Sequence, residues 1–352
     1  MRFMIQIAGA PGVPNTENRR CHSQFMEFNT LCLILSIAAV VLCAVFFAAG
    51  ILYRKKVAEK QIGSAEEEAK RIINEAIKGG ENKKREMLLE AKEEIHKSRS
   101  EYEREVKLGG GTTIYYPLRE TDGFRIQPDD FISKLNESID LLIICNPNNP
   151  TSTCITSRQM RRILDACKEH GIFVMIDETY VEFAAEVDKV TAIPLTKYYD
   201  NLIILRGTSK FFAAPGLRLG YAVTGNRDLL KNLSTRQNPW SISSLAAIAG
   251  EIMFTDQEYI EKTRALISSE RTRMYHMLSA HPDYKVYEPS ANFLLVKLLR
   301  EDQTSETLFD KAIRRCMMIR DCSTFPFLDD RYIRFCIMSP SMNDKLMECI
   351  LE

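Results

Sequence analysis

The stretch Leu202-Ile-Ile-Leu-Arg-Gly-Thr-Ser-Lys210 is four aliphatic residues running into a polar loop that ends in a lysine. A short apolar run bounded by turn residues reads as a buried strand. Two runs of the same kind precede it. Leu141–Cys145 (LLIIC) leads into Asn146-Pro-Asn-Asn-Pro-Thr151, and Phe173–Ile176 (FVMI) leads into Asp177-Glu-Thr-Tyr180. An amphipathic helix over about Ser157–His170, ended by Gly171, is expected between the first two. Strands alternating with helices indicate an α/β domain on a mostly parallel sheet. In such sheets ligands sit beyond the carboxyl ends of the strands. The three loops, and Gly216-Leu-Arg-Leu-Gly220 after them, should therefore meet in one place.

Taken singly, each loop has a plain structural reading. Asn and Pro are turn formers, Asp177 could cap the following helix, and a loop lysine is ordinarily solvated. In this order and spacing they form a constellation of carboxylate, phenol, amine and guanidinium. From about residue 283 a second, smaller α/β unit is expected. Its strands lie near Phe293–Lys297 and Tyr332–Ile337, with a helix near Thr304–Arg315. The spans read as 108–282 for a large domain and 283–352 for a small C-terminal one.

From about Thr112 to the C-terminus these motifs resemble the fold-type I pyridoxal-phosphate enzymes, the aspartate-aminotransferase superfamily. The resemblance implies pyridoxal 5'-phosphate as cofactor, with Lys210 forming a Schiff base to its aldehyde. Asp177 would keep the pyridine nitrogen protonated, which makes the ring an electron sink. Asn149 and Tyr180 would hydrogen-bond the ring's phenolic oxygen. Ser209 and Arg218 would bind the phosphate, with Thr208 as a further ligand. Lys210 is expected to be buried and to move protons. Arg334, in Asp330-Arg-Tyr-Ile-Arg334, stands where the superfamily grips the substrate carboxylate. An arginine there could instead pair with Asp330 or Glu182.

Lys210-Phe-Phe-Ala-Ala-Pro-Gly-Leu-Arg-Leu-Gly-Tyr221, Gln237-Asn-Pro-Trp-Ser241 and Met318-Ile-Arg-Asp-Cys-Ser323 look most like threonine-phosphate decarboxylases of cobalamin biosynthesis. Asp177-Glu-Thr-Tyr-Val-Glu-Phe183 and Ser290-Ala-Asn-Phe293 fit histidinol-phosphate aminotransferases as well. Either way the substrate is a small phosphorylated amino compound, and Arg320 and Arg334 would hold its two anionic groups. Three residues depart from the pattern. Ser152 and Phe327 stand where glycine is usual, and Gly207 stands where a hydroxyl usually meets the cofactor phosphate. The superfamily works as a homodimer and has roughly a hundred more residues before the equivalent of Thr112. A sheet lacking those strands is expected to expose an edge and an apolar face. That motivates a reading from another class, a membrane-anchored helical assembly protein carrying an inactive enzyme remnant.

Upstream the character is different. Residues 1–28 are unpatterned. The charge-free run of residues 31–53, within a 29–53 segment, is long enough for a transmembrane helix of about 30 Å. Arg54-Lys55-Lys56 follows it, so a single-pass anchor would leave the enzyme part cytoplasmic. Residues 54–107 are rich in Glu, Lys and Ala. Ile62, Ala65, Ala69, Ile72 and Ala76 step as a heptad seam, which predicts a long charged helix or weak coiled coil. Residues 30–107 resemble the N-terminal region of ribonuclease Y, without its nuclease domains. The two resemblances meet near residues 101–108, and the chain reads as a chimera. Formal charge over the 352 residues is zero, so bulk charge gives no argument for nucleic acid. Ten cysteines without a CxxC pair suit reduced thiols, and the five histidines show no metal-ligand spacing.

Overall fold

The computed structural model describes residues 39–56, 70–75, 78–79, 104 and 106–352. The chain divides into two units, Met1–Asn82 and Lys83–Glu352. In the first, residues 39–56 are helical, with exposed side chains. Among the described residues no helix is long and apolar enough to cross a membrane. The described part of this helix runs over residues 39–56 and ends in Arg54-Lys55-Lys56. The expected transmembrane helix over 29–53 is therefore unsupported, and its residues 29–38 lie outside the described residues. So do residues 1–28, Tyr102 and most of the charged segment 54–107.

The second unit is built on two four-stranded sheets. The first has the order β1-β2-β3-β4: Leu141–Cys145, Phe173–Asp177, Leu202–Gly207 and Gly220–Thr224. β1, β2 and β3 pair in parallel, and β4 returns antiparallel to β3. Helix α1, Ser157–Glu169, starts on a reciprocal cap between Thr156 and Gln159, and Gly171 follows it at φ 70. Its Met160, Ile163, Leu164 and Cys167 are buried against Val174, Ile176, Leu202 and Ile204. One sheet face and one helix stripe thus close the first core.

The second sheet is antiparallel throughout, in the order β5-β6-β8-β7. Its strands are Tyr284–Val286, Phe293–Leu298, Tyr332–Cys336 and Arg320–Asp321. Helices α2 (Ser244–Thr255), α3 (Gln257–Ser279), α4 (Ser305–Arg314) and α5 (Pro340–Leu351) complete the C-terminal half. The packing of α3 bears on where this layer starts. Ile267, Met274 and Leu278 of α3 share a core with β6, β8, α4 and α5, so this layer begins by residue 257. Phe183 and Phe211 from the first sheet's loops join the same core. Period-2 and period-3.6 patterns locate strands and helices, but they do not say which sheet a helix covers.

The first sheet's edges are incompletely covered. Leu141 and Ile143 of β1 are exposed, as are Tyr221 of β4 and Leu245, Ile248 and Ile252 of α2. α2 meets the sheet closely enough that a Cβ on Gly250 would lie 2.8 Å from Leu219. Its apolar outer side is open.

A loop segment far upstream fastens onto the second sheet. The Glu120 carboxylate accepts hydrogen bonds from Lys285 (2.8 Å), Lys297 (2.7 Å), Tyr287 (2.8 Å) and Tyr332 (2.9 Å). Phe124 packs edge-on against Tyr287, with ring centroids 4.8 Å apart. Burial alone would raise the Glu120 pKa, but the four donors outweigh it and hold the carboxyl far below its usual 4.5. A depressed folded-state pKa adds stability that is present above the unfolded value and lost as pH falls below it. Glu120→Gln should therefore lower stability at pH 7 by about 2 kcal/mol. The gap between thermal melts of parent and variant should hold from pH 7 to about 5 and narrow as pH falls below about 4.5.

Candidate active site

Strand register builds the site. Cys145 pairs with Asp177, and Asp177 with Leu205, so the carboxyl ends of β1, β2 and β3 lie side by side. The chain leaves them through the three polar loops of the sequence. Asp177 is half-buried. Its Oδ1 accepts from the Thr179 amide at 2.9 Å and from the Thr179 hydroxyl. Its Oδ2 takes no hydrogen bond among the described residues, so one carboxylate oxygen is free for a ligand.

The residue after Asp177 anchors this loop. Glu178 is buried and accepts from Arg206 Nη2 (2.8 Å), Thr191 Oγ1 (2.8 Å) and the Ala192 amide (2.6 Å). Arg206 also meets Glu182 at 2.7 Å, and Glu182 pairs on to Arg264 of α3. Glu182 is thus engaged elsewhere and does not neutralise Arg334. Tyr180 packs edge-on against Phe293 at 5.0 Å. Burial pushes the Tyr180 hydroxyl pKa up, and the Arg334 charge opposes that.

The β3–β4 hairpin presents the next group. Gly207 pairs with Gly220, and the Thr208 amide and hydroxyl both donate to the Leu219 carbonyl, at 3.1 and 3.0 Å. That closes the hairpin base and sets Ser209 and Lys210 opposite Arg218. Thr208 itself is buried with its single hydroxyl proton engaged, so it is a strut and offers no donor to a phosphate. Arg218 is exposed, holds a left-handed φ of 52 and donates to the Pro215 carbonyl at 3.2 Å. Lys210 is exposed rather than buried, because Phe211 beside it takes the core position. The Lys210 amine has no hydrogen-bond or ion-pair partner among the described residues.

The fourth group comes from the second sheet. Arg320 and Arg334 are direct neighbours across β7 and β8. Arg334 donates to Asn149 Oδ1 and lies over the Phe293 ring at 4.9 Å. An arginine can only donate, so the Asn149 oxygen faces it and the Asn149 NH2 remains a donor. Arg320 donates to Thr324 Oγ1 at 2.8 Å and sits over Phe325 at 5.5 Å. Its buried Nε has no hydrogen-bond partner. Burial lowers the Arg320 pKa, and Arg334 lowers it further. Neither arginine has a carboxylate partner within ion-pair distance among the described residues. Like charges opposite each other in an antiparallel pair repel.

The loop departures also find their geometry. Ser152 (φ 61) and Phe327 (φ 66) both hold left-handed backbone, where glycine carries no Cβ penalty. The Ser152 hydroxyl compensates by accepting from the Ser290 and Ala291 amides at 3.1 and 2.9 Å. Sequence reading missed the contact that joins the two sheets here, Phe293 between Tyr180 and Arg334. It was legible only as part of the Ser290–Phe293 motif. Nothing in the sequence marked Glu178 or Glu120, which differ from surface glutamates only by what folds onto them. Among the described residues no group of three or more His, Cys, Asp or Glu side chains could hold a metal ion.

Comparison with known proteins then places the chain. The profile of aminotransferase class I and II matches residues 99–350. The chain belongs to this family. The profile of the RNase Y N-terminal region matches residues 34–109. The threonine-phosphate decarboxylase of Salmonella typhimurium is 33% identical over 251 residues, covering 71% of this chain and 67% of the relative. A histidinol-phosphate aminotransferase of Ruminiclostridium cellulolyticum is 31% identical over 242 residues, covering 68% and 64%. The chain thus spans about two thirds of the length of these relatives. Among solved structures, the histidinol-phosphate aminotransferase of Clostridium acetobutylicum superposes with a TM-score of 0.66 at 33% identity, covering 71% of this chain and 73% of that one. The L-threonine-O-3-phosphate decarboxylase of Porphyromonas gingivalis shares the fold, at a TM-score of 0.60 and 24% identity.

Pyridoxal phosphate is the cofactor of this member of the aminotransferase class I and II family. The residues present suit it: a free lysine amine, a carboxylate with an open oxygen, an amide donor on Asn149, and Ser209 with Arg218 at one hairpin end. The weak point is Gly207. A Cβ there would meet only Ser209 Oγ, at an ordinary 3.8 Å. Gly207→Ser should therefore be tolerated and should tighten pyridoxal phosphate binding about tenfold, the effect of one hydrogen bond to a charged group. Absorbance titration of parent and variant measures the change.

Proposed function

We propose that this chain decarboxylates L-threonine O-3-phosphate to an aminopropanol phosphate with pyridoxal phosphate as cofactor. The observation that carries the reading is the Arg320–Arg334 pair, two adjacent guanidiniums without a carboxylate partner. Such a pair suits a small substrate with two anionic groups, a carboxylate and a phosphate ester. The relatives named threonine-phosphate decarboxylase support the choice of substrate.

When bound, the cofactor supplies the electron sink for the bond broken at the substrate's α-carbon. Asp177 would hold a proton on the ring nitrogen through its open oxygen. Asn149 and Tyr180 would donate to the ring's oxygen substituent, with Ser209 and Arg218 on the phosphate. Arg320 and Arg334 would orient the substrate so that the carboxylate departs as CO2. Lys210, with no partner in the fold, would deliver the proton that replaces it on the α-carbon. A homodimer, as in the family at large, is supported by the open apolar side of α2 and by Trp240, which is 89% exposed.

The test is turnover of O-phospho-L-threonine by the pyridoxal-phosphate-loaded chain, reading CO2 release beside formation of pyridoxamine phosphate. Release of CO2 is expected, and pyridoxamine phosphate without CO2 would reassign the chain as an aminotransferase. Lys210→Ala should abolish turnover and the lysine-dependent visible absorbance band. Arg320→Ala and Arg334→Ala should each raise KM about 100-fold, as expected for loss of a close charge pair worth about 2.7 kcal/mol.

A further inference from the structure

Arg271 of α3 is 7% exposed and has no carboxylate partner among the described residues. Its Nη1 instead donates to three backbone carbonyls: Phe183 at 2.7 Å, Ser290 at 3.1 Å and Ala291 at 3.3 Å. A buried cation without a counter-anion costs stability, and an apolar residue of similar size is often tolerated in its place. What the guanidinium provides here is a junction between two segments. Phe183 closes the loop that carries Tyr180. Ser290 and Ala291 lead into β6 two residues before Phe293. The same peptide is held from its other side, where the buried Ser152 hydroxyl accepts from both the Ser290 and the Ala291 amides. Ser152 closes the loop that carries Asn149. Phe293 itself touches Tyr180 on one side and Arg334 on the other.

We propose that Arg271 and Ser152 are positioning residues which clamp peptide 290–291 from its two sides and so fix Arg334 relative to Asn149 and Tyr180. The inference rests on the reading of Arg334 as a substrate-holding residue. It adds a reason why a buried charge sits far from the chemistry. The clamp joins loops from the first sheet to the strand entry of the second, at the Phe293 ring that both halves of the site share.

The experiment uses the pyridoxal-phosphate-loaded full chain with O-phospho-L-threonine. Arg271→Lys keeps the charge, but its ammonium stands one bond closer to the backbone than Nη1 and falls short of spanning both segments. Its KM should rise about tenfold with kcat changed less than about twofold, and the cofactor absorbance should be unaltered. Hydrogen exchange at the Ser290 and Ala291 amides should quicken. In an Arg334→Ala background the same substitution should raise KM no further, since coupled residues are non-additive. Should Arg271→Lys fail to fold, Ser152→Ala is measured in the same cycle with the same expectation. An unchanged KM in an active parent, or an equal penalty with and without Arg334, overturns the clamp alone. A parent that does not turn over O-phospho-L-threonine overturns the functional reading and this inference together.

Discussion

The Glu178 carboxylate is buried, and the bonds it accepts come from two separate parts of the first sheet's end. Arg206 reaches it from β3, and Thr191 and Ala192 from the loop before Leu202. A buried carboxylate left without partners would cost about 3–5 kcal/mol, so these segments are obliged to converge. Asp177 precedes Glu178 and Tyr180 follows two residues later. The position of both functional side chains is therefore a consequence of satisfying one buried charge. Through Arg206 and Glu182 the same network extends to Arg264 on α3 and ties the site loop to the second sheet's core.

The site lies on the seam between two sheets, and each supplies what the other lacks. The parallel sheet contributes acid, amide, phenol and amine from its strand ends. The antiparallel sheet contributes paired guanidiniums. They meet at Phe293, whose ring is buried and whose neighbours are Tyr180 and Arg334. Packing at that ring is a stronger constraint than any loop conformation, because buried aromatic contacts tolerate little displacement.

Three departures from the family pattern have different physical consequences. Ser152 accepts backbone strain at positive φ and returns two hydrogen bonds to amides. Phe327 accepts the same strain while remaining 60% exposed, and nothing in the structure explains it. Gly207 carries no strain and removes a hydroxyl from a place with room for one. Thr208, next to it, has its hydroxyl proton on the Leu219 carbonyl, where it closes the hairpin.

The sequence by itself determined the strands β1, β2, β3, β6 and β8, helices α1 and α4 and the loops that bear Asn149, Asp177, Lys210 and Arg218. Those signals are local: aliphatic runs, cap residues and turn residues act within a few positions of themselves. It also determined the family, because the loops occur in a fixed order along the chain. Tertiary structure alone decided that α3 belongs with the second sheet and that Glu120 binds four donors far along the chain. It alone decided that Lys210 is exposed, that Thr208 is a strut and that Arg334 meets Asn149 rather than Glu182. Each of these depends on which distant groups compete for one donor or one patch of buried surface, and that competition is settled only when the whole unit packs.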